Sequence, residues 1–386
     1  MIPRFDYSFS LRDIFISIAS VANNKESNVS SYQDLFPSAS VFEIPSARWG
    51  IQCALQALGL APGARVGVQP YTCSSVMAAI QSAGLEIVFI DINAEFTLDQ
   101  EDLKKKLHQL EALIVTHTFG VAAQLESIRK LASHLPIIED CAHAFLCHYN
   151  DQSLGSFFDV SVFSFGYGKF PILGHGGIIV INNKKYAKLI TTHISRLKPA
   201  GLLSELIFVG KRVAYSLIYS GLGYTVLHNV FQQYITTKNQ RIQSRSFVQE
   251  YEFRSVRQLL KNKWKHLPDL AMKQRQNALQ IIKANESVVK AIYNVDDKSN
   301  CLAVVFIVDD RDRLYNHLIR HGIGAGKHFQ YAAVWASAYG YENGSCPQFE
   351  QLVNRVITIP CYSKLTKSDI IKINKVIARF IQENIL

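Results

Sequence analysis

The stretch PIIEDCAHAFLCHYNDQSLGSFFDVSVFSFGYGKFPILGHGGIIVINN, residues 136–183, decides the fold class of this chain. Its apolar run PIIED ends in Asp140 and is typical of a buried strand that delivers one acid at its C-terminal edge, where ligands bind in open α/β sheets. A second strand, VSVFSF, carries Ser164 and precedes Lys169 in the glycine-bracketed GYGK. The stretch therefore predicts two buried strands, with an acid ending one and a lysine just beyond the other.

The order Asp140, Ser164, Lys169 is the order that a pyridoxal-phosphate enzyme needs. A lysine forms a Schiff base with a cofactor aldehyde, and an acid facing the pyridine nitrogen keeps that nitrogen protonated. Taken alone, an Asp at a strand end more often caps a helix, and a lysine after a strand is usually a solvated loop charge. The joint pattern favours the catalytic interpretation for Lys169 and Asp140.

The rest of the chain extends this pattern on both sides. From residue 46 to about 183, apolar strands alternate with amphipathic helices, which predicts an α/β fold with a mostly parallel sheet flanked by helices. After about residue 251 a long helical segment, bent at Pro268, leads into strand, helix, strand and helix. We therefore predict a large domain over residues 1–245 and a smaller C-terminal α+β domain over residues 246–386.

Composition argues against a disulfide-rich, metal-binding or secreted protein. The 386 residues are 48% hydrophobic and 19% charged, as in ordinary soluble enzymes. The seven cysteines are scattered, with no CxxC pair and no Cys/His cluster at metal spacing, so we predict reduced thiols and no metal site. The N-terminus carries charges where a secretory signal needs an unbroken apolar core. We expect a cytoplasmic protein.

Charge and hydropathy single out two further segments. The net charge is +10, and the basic window over residues 238–276 suits an anionic ligand or surface, although no nucleic-acid motif accompanies it. The predicted large domain contains a hydrophobic insertion, about residues 198–237, that is too polar for a membrane span. We expect it to pack on the protein or on a dimer partner; an interfacial helix beside Lys211 and Arg212 is the alternative.

A set of sequence pieces carries a family resemblance. The pieces are APGARVGVQPYTC, FIDINAEFTLD, VTHTFGVAAQLESIRKLA, IIEDCAHA, GSFFDVSVFSFGYGK and GHGGIIVIN. Together they resemble the DegT/DnrJ/EryC1/StrS family of pyridoxal-phosphate sugar aminotransferases. The resemblance implies the fold type I architecture of aspartate aminotransferase and a homodimer with shared active sites.

The same resemblance implies roles for individual residues. Lys169 corresponds to the Schiff-base lysine and Asp140 to the partner of the pyridine nitrogen. His143 stands where the family has Gln or His close to the cofactor ring, and Ser164 matches the serine that bonds the cofactor phosphate. That phosphate also rests at the N-terminus of the helix starting near Ala47, where helix-end N–H groups favour an anion.

The phosphate turn departs from the family pattern. The family usually has Ser-Gly-Thr-Ala there, whereas this chain has Ser46-Ala47-Arg48-Trp49-Gly50. Arg48 suits direct pairing with the phosphate; the alternative is that Arg48 and Trp49 obstruct the pocket. The family also places an aromatic ring over the cofactor, and either Tyr71 or Cys73 occupies that neighbourhood here.

Other departures concern the substrate side and the partner subunit. A family asparagine that reaches the partner's phosphate is replaced by Glu252, which cannot donate as an amide does, so Arg254 or Arg48 would have to compensate. His175 replaces an acidic residue before paired glycines. In the loop GIGAGKHFQY, Lys327 and His328 are candidates for substrate contact, with ordinary surface charge as the alternative.

The resemblance implies an aminotransferase that moves an amino group from an amino acid, expected to be glutamate, to a nucleotide-linked keto-deoxysugar for polysaccharide or glycoconjugate biosynthesis. Lys169 would serve as both covalent anchor and general acid/base. Two alternatives stay open at this point. One is a non-catalytic or regulatory relative with an impaired cofactor site, and the other is a membrane-surface enzyme acting on a lipid-linked sugar.

Overall fold

The structure is a computed structural model, and it describes residues 1–7, 9–22, 32–226, 251–286, 290–292 and 298–385. Its first nine strands are β1 (Ser40–Ile44), β2 (Arg65–Val68), β3 (Glu86–Phe89), β4 (Ala112–Thr116), β5 (Ile137–Asp140), β6 (His148–Tyr149), β7 (Gln152–Ser153), β8 (Val160–Ser164) and β9 (Gly177–Ile181). Seven of them form one sheet in the order β1-β9-β8-β5-β4-β2-β3, while β6 and β7 pair separately.

The central sheet is mostly parallel, which confirms the predicted fold class. Strands β3, β2, β4, β5 and β8 run parallel, whereas β9 is antiparallel to β8 and β1 is antiparallel to β9. Strand β4 and strand β9 are buried along their whole length, because their apolar runs are covered by helices on both faces. In register, Asp140 of β5 lies opposite Thr116 of β4 and Val162 of β8.

Helices α1 to α8 accompany this sheet, and residues 221–226 are also helical. The numbered helices are α1 (Leu11–Ala22), α2 (Tyr32–Leu35), α3 (Ala47–Ala57), α4 (Ser74–Ser82), α5 (Gln100–Lys106), α6 (Leu125–Leu131), α7 (Ala187–Ile194) and α8 (Leu202–Ile218). Each of the helices predicted from the alternating pattern is present. Ser46 caps the N-terminus of α3: its hydroxyl accepts a hydrogen bond from the Trp49 N–H at 3.2 Å and so satisfies one helix-end donor.

The C-terminal part contains a smaller antiparallel sheet packed against helices. The elements there are β10 (Lys198–Pro199), β11 (Tyr251–Glu252), α9 (Arg254–Lys263), α10 (Leu267–Asn285), β12 (Lys290–Ala291), β13 (Val304–Ile307), α11 (Arg311–Arg320), α12 (Ala332–Ala338), α13 (Pro347–Leu352), β14 (Val356–Ile359) and α14 (Lys367–Ile385). Strands β12, β13 and β14 pair in that order, and β10 pairs with β11. The long helical segment breaks at a 3₁₀ turn, Trp264–His266, and Pro268 lies in the first turn of α10, where a missing N–H costs nothing.

Two segments of the chain, the N-terminal residues and helix α9, cross between these parts. Ile2 forms a parallel bridge with Ile323, and Lys263 at the end of α9 forms an ion pair with Asp13 of α1 at 2.9 Å. The predicted domain boundary at 245/246 lies outside the described residues. The N-terminal segment and α9 therefore each pack on elements that are distant in sequence. A division of the chain at one sequence position does not describe these contacts.

The hydrophobic insertion contains helix α8, and its residues from 227 onward lie outside the described part of the chain. Phe208 and Val209 of α8 are buried, but its outer face exposes leucines such as Leu203 and Leu206. Within the described chain, no helix combines the length and the apolar character needed to cross a bilayer.

Candidate active site

Asp140 ends strand β5 at the edge of the sheet where the sequence places a ligand. Its side chain is buried and accepts a hydrogen bond from the Ala142 N–H at 3.0 Å. Burial raises the pKa of the Asp140 carboxyl, and the Ala142 N–H and the Lys169 cation oppose that rise without cancelling it. The carboxylate is therefore held at an energetic cost that a further cationic partner would reduce.

Lys169 lies in the turn after β8, close enough to Asp140 for the two charges to affect each other. Burial lowers the pKa of the Lys169 ammonium, and Cys73 and Asp140 act in the opposite direction. The structure thus brings together the acid and the lysine that the sequence analysis paired. A lysine with a lowered pKa has more of the neutral amine that acts as a nucleophile.

His143 lies beside these two residues in a fixed tautomer. Its Nδ1 accepts a hydrogen bond from the Phe119 N–H at 3.0 Å, so the neutral ring carries its proton on Nε2. Burial, with the charges of Lys169 and His328, holds the pKa of His143 well below its ordinary value. The ring is a neutral hydrogen-bond donor next to Lys169, with its plane 27° from that of Phe119.

Ser164 and the start of α3 meet at a glycine. Ser164 ends β8 directly opposite Gly177 of β9. A Cβ atom added to Gly177 would overlap the Phe163 carbonyl oxygen and would lie 3.6 Å from the Ala47 N–H nitrogen. The bare glycine therefore lets the end of the sheet approach the N-terminus of α3, where the helix dipole and free N–H groups favour an anion.

Arg48 lies in the first turn of α3, a turn that contains no acidic residue. Its Nε atom is buried and has no hydrogen-bond partner among the described residues, and its charge acts on the Tyr339 hydroxyl. A cation at a helix N-terminus is unfavourable unless an anion is present. Trp49, by contrast, is buried in the core cluster and donates its backbone N–H to Ser46.

Tyr71 and Cys73 share the neighbourhood that the sequence analysis gave them, but in different ways. Tyr71 is fully buried, and its hydroxyl lies 3.1 Å from Nδ1 of His328. Its ring packs 4.7 Å from that of Phe96, measured between centroids. Cys73 is half-buried at the N-terminus of α4 and lies close enough to Lys169 to influence the pKa of its ammonium.

Of the two candidates in the loop at 322–331, the structure brings His328 to the site. Burial, followed by the charges of Arg4 and Lys169, holds the pKa of His328 well below its ordinary value, and its ring lies 5.5 Å from that of His143. Lys327 forms an ion pair with Asp312 at 2.9 Å.

The remaining residues singled out from the sequence make the following contacts. Arg254 donates its backbone N–H to Glu205, and Glu252 forms an ion pair with Arg257 at 3.2 Å. His175 packs against the rings of Phe208 and Phe253.

Directly behind Asp140 lies a network that the sequence analysis missed. The buried carboxylate of Glu139 accepts hydrogen bonds from the His117 ring at 2.9 Å, from two backbone N–H groups, Gly155 and Phe157, and from the Ser161 hydroxyl. His117 Nδ1 accepts the Ala123 N–H, so its Nε2 must donate to Glu139. These lone pairs are committed, and the cluster with Cys141 offers a metal ion no free ligand set.

A family model matches most of the chain. The model is that of the DegT/DnrJ/EryC1/StrS aminotransferase family, and it matches residues 34–215 and 258–378. These ranges contain Lys169, Asp140, the turn at Arg48 and the loop around His328. They omit the N-terminal segment with Arg4.

Individual proteins are similar to this chain in sequence or in fold. GDP-perosamine synthase of Vibrio cholerae is 33% identical over 172 residues, which is 44% of this chain and 44% of that enzyme. A DegT DnrJ EryC1 StrS aminotransferase from Brucella abortus has the same fold, with a TM-score of 0.74, 21% identity, and coverage of 96% of this chain and 95% of its own. A Streptococcus pneumoniae protein solved in its PMP form has a TM-score of 0.76 at 15% identity, with both chains covered completely.

Proposed function

Because the chain belongs to the DegT/DnrJ/EryC1/StrS aminotransferase family, we propose that it is a pyridoxal-phosphate enzyme that moves an amino group from an amino acid to a keto-sugar. The observation that carries the proposal is the proximity of Lys169 to Asp140 at the sheet edge, beside a helix N-terminus where the buried Nε of Arg48 has no partner among the described residues. Bound there, pyridoxal phosphate supplies an aldehyde for the lysine and a ring that withdraws electrons.

The residues present fit that cofactor. The phosphate would be held by the N-terminus of α3, by the Ser164 hydroxyl and by Arg48, whose buried Nε has no other partner among the described residues. Asp140 would face the pyridine nitrogen, because a protonated nitrogen is the cation that its costly buried carboxylate requires. His143 Nε2–H supplies a neutral donor next to the ring.

Lys169 performs two tasks in this scheme. Its lowered pKa would provide a neutral amine for covalent attachment to the cofactor, and the same amine would hold and move the proton of the donor's Cα. The neutral rings of His143 and His328 add no competing cation at physiological pH, because the pKa of each lies well below its ordinary value.

We assign glutamate as the donor and a nucleotide-linked keto-deoxysugar as the acceptor. Support for the acceptor class comes from the similarity to GDP-perosamine synthase, and the PMP and PLP forms of the Streptococcus pneumoniae protein support the cofactor. The net charge of +10 suits an anionic, nucleotide-linked substrate. A homodimer with shared sites is part of the same proposal.

Visible spectroscopy tests the first half of the reaction. With added pyridoxal phosphate, the purified protein is expected to show an absorbance band that Lys169→Ala lacks, and added glutamate should convert this band to that of the amine form of the cofactor. Lys188→Ala, an exposed lysine of α7, is the matched control and should behave as the wild type does.

If the wild type forms no such band, the enzyme proposal fails, and the non-catalytic interpretation takes its place. That interpretation rests on the altered phosphate turn and on Glu252, which is paired with Arg257 within its own chain. A band that forms but does not respond to glutamate would keep the cofactor and overturn the donor.

A second candidate, a membrane-surface enzyme, is favoured by the apolar outer faces of two adjacent helices. Helices α1 and α8 are joined by the Arg212 guanidinium, which donates to the Ser17 hydroxyl at 3.0 Å. Large apolar side chains stand exposed on both, including Phe15 at 72% and Leu203 at 71% exposure. A patch of this kind on a soluble protein marks a binding surface.

The charges around this patch point to an anionic surface. The acids of the two helices, Asp13 and Glu205, are buried facing inward, while Arg12 and Lys211 are exposed. A symmetric contact with a second copy would oppose these like charges, whereas anionic lipid headgroups would pair with them.

Vesicles containing phosphatidylserine should therefore sediment with the wild type at low salt and not with the double variant Phe15→Glu, Leu203→Glu. Leu189→Glu, on exposed α7, is the control. Equal sedimentation of all three, or none by the wild type, would remove this candidate, and a change in oligomeric state alone would assign the patch to a second copy.

A further inference from the structure

Arg4 lies in the wall of a cavity that also contains Lys169. The cavity is bounded by the N-terminal segment, the turn after Lys169, helix α10 and the segment after β14. Its walls include Arg4, Phe5, Lys169, Gln274, Tyr362 and Lys364. Lys169 is thus shared between this cavity and the site at the sheet edge.

The backbone fixes Arg4 in this position. The Ile2 N–H donates to the Gly322 carbonyl and the Gly324 N–H donates to the Ile2 carbonyl, both at 2.8 Å, so residues 1–4 are held along the loop that carries His328. The Arg4 guanidinium lies over Gly326, where an added Cβ would overlap it. Its Nη2 donates to the Thr358 hydroxyl of β14 at 3.2 Å.

The guanidinium is nevertheless incompletely partnered. Its Nε atom is buried without a hydrogen-bond partner, and no carboxylate of the described residues forms an ion pair with it. The cavity's other outer cations are paired: Lys364 with Asp6 at 3.2 Å, and Lys263 with Asp13 at 2.9 Å. A buried donor without an acceptor is costly, so the position favours an anionic ligand.

Arg4 is also part of the site's electrostatic environment. Its charge contributes, after burial, to the low pKa of His328, and it acts on Tyr71, whose hydroxyl lies 3.1 Å from His328 Nδ1. Arg4 and Lys169 therefore line one cavity, and the charge of Arg4 also reaches His328 and Tyr71. An anion bound there would lie against Arg4 with Lys169 nearby.

We propose that Arg4 binds a carboxylate of the amino-acid donor, an inference that rests on the proposed aminotransferase function. The donor's nitrogen must reach the carbon attached to Lys169, so its carboxylates lie within a few bond lengths of that point. A single guanidinium matches one planar carboxylate through paired N–H donors. The diphosphate of the sugar substrate is the other anion with suitable chemistry, and the experiment separates the two.

Binding of glutarate, which has two carboxylates and no amino group, tests the assignment without catalysis. Calorimetric titration of the cofactor-loaded protein is expected to show glutarate bound about 10- to 100-fold more weakly by Arg4→Gln than by the wild type. Arg4→Lys should fall between them, because it keeps the charge and loses the paired donors. Arg313→Gln, an exposed arginine of α11, is the control, and inorganic pyrophosphate should bind all four proteins equally.

Unchanged affinity for glutarate in Arg4→Gln overturns the proposal, as does a loss confined to pyrophosphate, which would assign Arg4 to the sugar diphosphate. The Lys169-dependent absorbance band reports separately on the cofactor site. If that band is present and glutarate binding is unchanged, the Arg4 assignment alone fails. If Arg4→Gln does not fold, Arg4→Lys in the same titration decides the question.

Discussion

Glu139 and Asp140 are consecutive residues of one strand, both buried, and their environments shift their pKa values in opposite directions. Burial alone would raise the pKa of Glu139, but hydrogen bonds from His117, Gly155 and Phe157 outweigh it, and the pKa lies below its ordinary value. Asp140 accepts one backbone hydrogen bond, and burial prevails. The protein itself satisfies the Glu139 carboxylate, whereas the Asp140 carboxylate remains costly to ionise.

This contrast distinguishes two kinds of buried polar group around the same sheet edge. Behind the edge, Glu139 and His117 have their hydrogen-bonding capacity filled by the protein itself. In front of it, the Nε atoms of Arg48 and Arg4 are buried without a hydrogen-bond partner among the described residues, and the Asp140 carboxylate accepts one backbone hydrogen bond. Unfilled hydrogen-bonding capacity beside Lys169 supports the proposed placement of a cofactor or substrate there.

Replacing Glu139 by alanine should have the largest effect on stability. The change leaves His117 and two backbone N–H groups buried without an acceptor, which is expected to lower the free energy of unfolding by about 3–5 kcal/mol. Chemical denaturation measures the loss, with the exposed Glu342→Ala as control. A loss below about 1 kcal/mol would show that the network is not structural.

Replacing Asp140 by asparagine should have the opposite profile. The rate of the glutamate half-reaction is expected to fall about 10²- to 10³-fold, because the ring nitrogen loses its anionic partner. The free energy of unfolding of the cofactor-free protein should be unchanged or higher at neutral pH, since a buried charge is removed. This gain should shrink as the pH falls, because the raised pKa lets the wild-type carboxyl take up a proton in the folded state. A clear loss of stability would place Asp140 with Glu139 instead.

His175 allows the effect of burying a titratable side chain to be tested through the pH dependence of stability. Burial, followed by the charge of Arg212, lowers the pKa of His175 to about 4. Between about pH 6.5 and pH 4, the unfolded chain therefore binds a proton at His175 and the folded protein does not. The contribution of the neutral His175 to the free energy of unfolding is complete above this window. It is lost as the pH falls through the window, by up to about 3 kcal/mol.

His175→Phe keeps a ring against Phe208 and Phe253 and should flatten this part of the pH profile of unfolding. The exposed His134→Phe should leave the profile as it is. If both variants retain the wild-type slope, other histidines account for the acid sensitivity.

The smallest predicted effect concerns Arg48. Arg48→Gln should weaken the binding of pyridoxal phosphate about tenfold, because one charge-assisted contact to the phosphate is lost. Spectroscopic titration against Arg320→Gln, an exposed control, measures it. Equal or tighter binding would mean that the side chain obstructs the pocket, the alternative that the sequence left open.

Much of this fold could be predicted because buried parallel strands leave continuous apolar runs in the sequence. Strands β4, β5, β8 and β9 are of this kind, and the lysine and acid that follow them were paired on that basis. Strand β1 was not predicted, since it is an edge strand whose partly exposed SVFEI has no such run. Helix α1, with its exposed Leu11 and Phe15, likewise breaks the expected pattern of a polar outer face.

The remaining parts of the site depend on contacts between distant residues. The dipeptide Glu139-Asp140 presents two acids, and only the pleat of β5 decides which one meets His117 and which one faces Lys169. Arg4 reaches the site through a bridge between Ile2 and Ile323, and no local pattern in MIPRFDY announces that pairing. Periodicity describes an element's faces, whereas unfilled hydrogen-bonding capacity appears only when the elements are assembled.

The position of Cys73 makes it a residue that can be labelled chemically to report on the site. Six of the seven cysteines are buried, and Cys73, half-buried at the start of α4, is the neighbour of Lys169. A thiol-selective alkylating reagent would therefore reach this residue first, and a bound cofactor would stand in its way. The extent of labelling, read by mass spectrometry, then measures occupancy of the site in samples too dilute or too coloured for absorbance.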